Sequence, residues 1–114
     1  MPNVTPNDVE RIVRREFQEE QFVTVMAILG RYGTEKHHRE ASRVQLAALK
    51  LASGSVDDLQ SNIESATRDY RDILAYAEYP EYFKKGFRVA ELPAEEQRRI
   101  IDSDWRQYDG WLRR

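Results

Sequence analysis

Residues 43–80, RVQLAALKLASGSVDDLQSNIESATRDYRDILAYAEYP, place the strongest limit on what this chain can fold into: helical periodicity runs on both sides of a Ser-Gly-Ser turn. For a helix over 39–53, at about 100° per residue, Val44, Ala47, Ala48, Leu51 and Ala52 share one broad face, while Leu46 and Leu49 project from the other. Only Arg43 and Lys50 form a polar strip. A helix apolar nearly all round is buried on several sides. This one is therefore expected at the centre, its alanines letting neighbours come close. Gly54 offers a left-handed stop. Ser55 is the N-cap of the next helix, with Asp58 in a capping-box-like position, and Asp57 and Asp58 put negative charge where the helix dipole favours it. That second helix is expected over 56–79. Leu59, Ile63, Ala66, Tyr70, Ile73, Leu74 and Ala77 fall on one face, with Asp57, Ser61, Glu64, Ser65, Arg68 and Asp72 opposite. Pro80 ends it, because the residue before a proline is pushed out of helical geometry.

A length of 114 residues suits one domain, 1–114, large enough for a core without covalent staples. The formal charge is −2 with both signs interspersed, so nothing steers the chain toward nucleic acid or an anionic membrane. With no cysteine there is no disulfide, thiolate metal site or thiol nucleophile. No apolar run approaches the roughly 20 residues of a membrane span, and the N-terminus lacks the basic-then-apolar pattern of a secretion signal. The expectation is a cytoplasmic protein with neither a membrane nor a nucleic acid as partner.

The flanks add helices. Thr5 is an N-cap with Pro6 at the first helical position. Val9, Ile12, Val13 and Phe17 make a short stripe, and the polar run 18–21 marks a break before a second apolar segment that Gly33 stops. Residues 34–40 form a polar connection. After Pro80, about a dozen residues carry aromatics and lysines with no sustained period and are expected as a connection. Pro93 then opens a last helix over 93–112, with Ile101, Trp105, Tyr108 and Leu112 as its main stripe and Ile100 beside it. The fold class is all-α: a small antiparallel bundle of four or five helices around a core hairpin over 39–79.

Four segments, RYGTE at 31–35, RVQLAALKLASG at 43–54, DYRDILAYAEYP at 69–80 and LPAEEQRRIIDSDWRQYDGWL at 92–112, together resemble a group of small bacterial all-helical proteins with no assigned activity. The resemblance covers most of the chain from residue 31 onward. It implies a bacterial cytoplasmic helical protein and carries over no catalytic residue.

Few residues point to chemistry. His37 and His38, with Glu35 and Glu40, are the only cluster of histidines and acids. No third convergent ligand is indicated, so a solvated helix entry is preferred to a metal site. Asp69, Arg71, Asp72 and Glu78 could supply paired carboxylates, but acid–base work needs them held in a cleft, and a charged helix face is the simpler account. There is no Gly-rich phosphate loop or nucleophile elbow. No cofactor or metal is expected. The helix–turn–helix spacing permits a DNA reader, but Asp57, Asp58 and Glu64 on the second helix would repel phosphates.

The remaining signal is aromatic. Tyr76 and Tyr79 lie off their helix stripe, Tyr82, Phe83 and Phe87 follow with Lys84 and Lys85 between them, and Trp105, Tyr108 and Trp111 sit on the last helix. Tyrosine and tryptophan bury area while keeping a polar handle, and are enriched at interfaces. One account folds the last helix back so that its rings cover Tyr76, Tyr79 and Phe83 within a single core. The other keeps Tyr76, Tyr79, Tyr82, Phe83 and Trp111 as a contact surface for another protein or a second copy of this chain. The preferred function is a non-enzymatic interaction module. An enzyme or small-ligand bundle using Asp69 and Tyr70 is the alternative, and DNA binding comes third.

Overall fold

In the computed structural model, which describes residues 3–36 and 39–114, the central stretch does form the centre. The helix Ala41–Ala52 (α3, after α1 and α2 below) buries Val44, Leu46, Ala47, Ala48, Leu49 and Ala52. It packs against α1, α4 and α5 at once. Its end is left-handed over two residues, Ser53 (φ 48) and Gly54 (φ 83), rather than at Gly54 alone. Gly54 is needed there for a second reason: a Cβ would stand 3.1 Å from the Glu16 carbonyl oxygen.

Before it, α1 (Pro6–Glu16) starts at Thr5, whose backbone N–H donates to the Asp8 carboxylate at 2.9 Å. Phe17 is extended and buried, a 3₁₀ turn covers Glu19–Gln21, and α2 runs Phe22–Leu29. This helix stops at Leu29, earlier than the glycine at 33. Gln45 of α3 donates its side-chain amide to the carbonyls of Leu29 (3.0 Å) and Tyr32 (2.9 Å), satisfying acceptors that a helix end leaves open.

After the turn, the expected helix over 56–79 is two. α4 spans Val56–Arg68 with Ser55 Oγ accepting from the Asp58 N–H at 3.1 Å. At Asp69 the backbone is extended (φ −154, ψ 102), and α5 runs Tyr70–Glu78. Asp69 caps the new helix by accepting from the Arg71 N–H at 3.0 Å. Leu59, Ile63, Ala66, Ile73, Leu74 and Ala77 are all buried, so the apolar stripe continues across the break.

Pro80 ends α5 and also opens a helix of its own, α6 (Pro80–Lys85), followed by a 3₁₀ segment, Gly86–Glu91, where a connection without structure was expected. The last helix, α7 (Ala94–Arg113), packs on α5 and α6. Among the described residues the chain is thus all-helical, with seven α-helices instead of four or five and no strand. No helix among them is long and apolar enough to cross a membrane.

The inward face of α7 differs from the expected stripe. Ile100, Asp104, Tyr108, Trp111 and Leu112 are buried, while Ile101 is partly exposed. The helix is turned so that Asp104 faces in. Its last turn is fastened to α1. Arg11 donates to the Leu112 carbonyl at 2.9 Å and Arg15 to those of Trp111 at 2.7 Å and Arg114 at 3.0 Å. Cationic donors at a helix C-terminus satisfy open carbonyls and suit the dipole.

Candidate functional site

The chain turns sharply at Tyr79 (φ −127, ψ 48), and α6 that follows has only six residues, too few to persist unaided. Asp104 supplies the support. Its two carboxylate oxygens accept the backbone N–H groups of Glu81 and Tyr82, each at 3.0 Å. This places a buried negative charge at the N-terminal end of α6, where the exposed amides and the helix dipole favour it. The first turn of α6 is pinned against the middle of α7, and Phe83, further along α6, shares a groove with Ile101. Between α5, α6 and α7 remains an open groove of about 470 Å³, lined by Ala75, Tyr79, Tyr82, Phe83, Ile101 and Trp105.

Four of the five residues singled out from the sequence meet here. Tyr79, Tyr82 and Phe83 line the groove. Tyr76 packs its ring edge-on to Phe83, with centroids 4.9 Å apart. Tyr76 remains 52% exposed and Phe83 44%. The fifth, Trp111, does not join them. It is buried, its indole N–H donates to Glu16 at 3.0 Å, and Arg15 lies over its ring, so it secures α7 to α1. The rings therefore divide. Trp105 covers Tyr79 edge-on at 5.2 Å, as a folded-back core would have it, whereas Tyr76 and Phe83 stay open. Ile101, expected on the core stripe, is groove wall instead, while Trp105 packs against the core as expected and lines the groove as well. Their placement follows from the burial of Asp104, which sets the rotation of α7 through the distant α6 amides and which no local spacing reveals.

Beneath the groove lies a buried polar set. Glu78 is 0% exposed and receives both arms of the Arg43 guanidinium, Nε to Oε2 at 2.8 Å and Nη2 to Oε1 at 2.6 Å. Arg43 also reaches Glu40 at 3.0 Å. The hydrogen bond to Glu78 holds the guanidinium firmly protonated, above its ordinary value. Burial, seconded by the Glu78 carboxylate, pushes the Tyr79 phenol up, and Arg43 opposes it. Tyr108 is pushed up by burial too, and its hydroxyl has no hydrogen-bond partner among the described residues. These carboxylates are engaged: Glu78 binds a guanidinium and Asp104 caps a helix.

The other polar groups weighed from the sequence are also occupied. Asp69 and Arg71 share an open depression of about 320 Å³ with Tyr32 and Tyr70, but Asp69 caps α5 and pairs with Arg71 at 3.0 Å. Asp72 is exposed, as are Asp57 and Asp58 at the start of α4. His37 and His38 lie outside the described residues, and no group of three or more metal-ligating side chains forms among the rest. A second, polar cavity of about 390 Å³ is lined by Glu16, Lys50, Ser53, Gln107, Trp111 and Arg114. Burial there pushes the Lys50 ammonium below its ordinary value.

No family model, curated protein or solved structure matches this chain. The groove is therefore interpreted from its own chemistry. It is lined by the rings of Tyr79, Tyr82, Phe83 and Trp105 and the aliphatic side chains of Ala75 and Ile101. Such a wall favours an apolar side chain entering from outside.

Proposed function

We propose that this chain is a non-enzymatic protein-interaction module whose contact surface is the aromatic groove between α5, α6 and α7. One observation supports the reading above the others: Phe83 and Tyr76 pair with each other at 4.9 Å and stay about half exposed beside an open groove. Water-exposed rings cost free energy that a bound partner recovers, and interface hot spots are typically such aromatics at the edge of a pocket. Phe83 and Tyr82 stay exposed because Asp104 fixes α6 by its backbone, leaving the side chains free to face outward. The site-bearing alternatives lose their chemical groups to structural duties, at Glu78, Asp104 and Asp69 alike.

The test is the double variant F83S/I101S of the full chain. Thermal unfolding should shift by no more than a few degrees, since both residues are partly exposed. Light scattering and titration with amphipathic helical peptides should show that the wild type associates, with itself or with a peptide, and that the variant does not. A variant that fails to fold would mark these residues as core and contradict the proposal. So would a wild type that stays monomeric and binds none of the peptides.

A further inference from the structure

The two cations on α3 meet different fates. Arg43 finds Glu78 and Glu40. Lys50, two turns further along the same strip, is only partly exposed and makes no ion pair among the described residues. It lines the open polar cavity of about 390 Å³ where the ends of α1, α3 and α7 meet, with Glu16, Ser53, Gln107, Trp111 and Arg114 as the other walls. The one carboxylate side chain there is engaged: Glu16 Oε1 accepts from the Trp111 indole N–H at 3.0 Å and from Arg15 at 3.3 Å. Gln107 donates its amide to the Ala77 carbonyl at 3.1 Å. Arg114 makes no side-chain ion pair among the described residues either. Burial pushes the Lys50 ammonium below its ordinary value; Asp104 opposes the shift and Arg114 adds to it.

We infer that this cavity binds a small organic monocarboxylate, its charge answered by Lys50 and Arg114 and its carbon body lying against Trp111 and the Lys50 methylenes. Among the lining side chains, Lys50 and Arg114 against Glu16 leave one positive charge over (2 − 1), which suits a monoanion better than a dianion. A bound carboxylate supplies the partner that a half-buried ammonium lacks, and charge-assisted hydrogen bonds are the strong ones. The volume lies within the range of small-molecule sites, about 300–1,000 Å³. The site is separate from the aromatic groove, and the inference does not rest on the interaction-module reading.

The experiment is calorimetric titration of the full chain with acetate, butyrate and benzoate. Benzamide serves as the neutral analogue and inorganic phosphate as the competing oxyanion. At least one carboxylate should saturate a single site in the millimolar range, and benzamide should not. K50M keeps the stem while removing a charge that burial disfavours, so it should fold as the wild type does and bind at least about tenfold more weakly. Wild-type affinity should fall as pH rises through the lowered Lys50 value, because only the ammonium form attracts the carboxylate. The groups facing Lys50 are Glu16 from α1 and Asp104 and Arg114 from α7; loss of the pH dependence in K50M assigns it to Lys50 rather than to these. In the wild type alone, the NMR signal of the Lys50 Cε should move on benzoate addition. A signal that stays still, or unchanged affinity in K50M, would overturn the site. Equal binding of benzamide and benzoate would overturn recognition by charge, and phosphate bound more tightly than every carboxylate would overturn the monocarboxylate. Saturation by none of the carboxylates would overturn the inference and leave the groove's function standing.

Discussion

Glu78 shows how one residue can decide the interior. A carboxylate fully out of water is tolerable only because Arg43 donates to both of its oxygens, at 2.8 and 2.6 Å. Glu78→Ala leaves the guanidinium with the more exposed Glu40 as its remaining carboxylate and should cost about 3 kcal/mol in urea unfolding, the low end for a broken buried pair. The double change R43M/E78L removes both charges and should cost less than E78A alone. Gly54 is constrained by backbone: its φ is +83 and the Glu16 oxygen is 3.1 Å from where a Cβ would lie. Gly54→Ala should lower stability by about 1–2 kcal/mol, read as a shift in urea midpoint. Asp8 is an acid-sensitive position. The Thr5 N–H, helped by Arg11, holds its carboxyl below the ordinary 3.8. A depressed acid stabilises the fold above its unfolded pKa and loses that contribution as pH falls through its folded value. Asp8→Ala should therefore cost about 0.5–1 kcal/mol at neutral pH, and wild type and variant should converge as pH falls below the ordinary aspartate value and through the lowered one.

Among the elements, α6 depends most on a single distant contact. Asp104→Ala removes both acceptors for its first-turn amides, at a cost of about 1–3 kcal/mol. Hydrogen exchange should show α6 losing protection while α3 and α4 keep theirs; uniform loss throughout would mean that α6 is not a separate unit. The elements also show what periodicity can and cannot disclose. The starts at Thr5-Pro6 and Ser55, the stop at Pro80 and the all-round burial of α3 are local, written in caps and apolar spacing. The break at Asp69 was hidden because the stripe from Leu59 to Ala77 stays in phase across it. The clue was the aspartate itself, a strong N-cap former in an otherwise unbroken pattern. Pro80 is a stop for one helix and the preferred first residue of another, and only the first role was taken. The burial of Glu78 and Asp104 was illegible for a different reason. A charge on a helix is buried only when a partner far along the chain answers it, and no spacing within 70–78 or 94–113 reveals Arg43 or the α6 amides. The exposure of Ile101 and the burial of Trp111 follow from the same contact, since Asp104 fixes the rotation of their helix.

The whole molecule is longer than its chain length requires. Its radius of gyration is 14.7 Å and its extents are 48 × 30 × 24 Å, against about 13 Å expected for a compact domain of this size. Residues 81–88 are all exposed, so α6 and the start of the 3₁₀ segment form an outer wall of the groove, with α6 packed on α5 and α7. Asp104 holds that wall to α7, and Arg11 and Arg15 hold α7 to α1. The central claim is that the groove's rings are surface kept available for a partner rather than core. The free energy of unfolding of Phe83→Ala measures this most directly. The account predicts a loss below about 1 kcal/mol, as for a partly exposed side chain. A loss of about 3–5 kcal/mol, the cost of emptying a buried phenylalanine site, would show that the ring belongs to the core and contradict it.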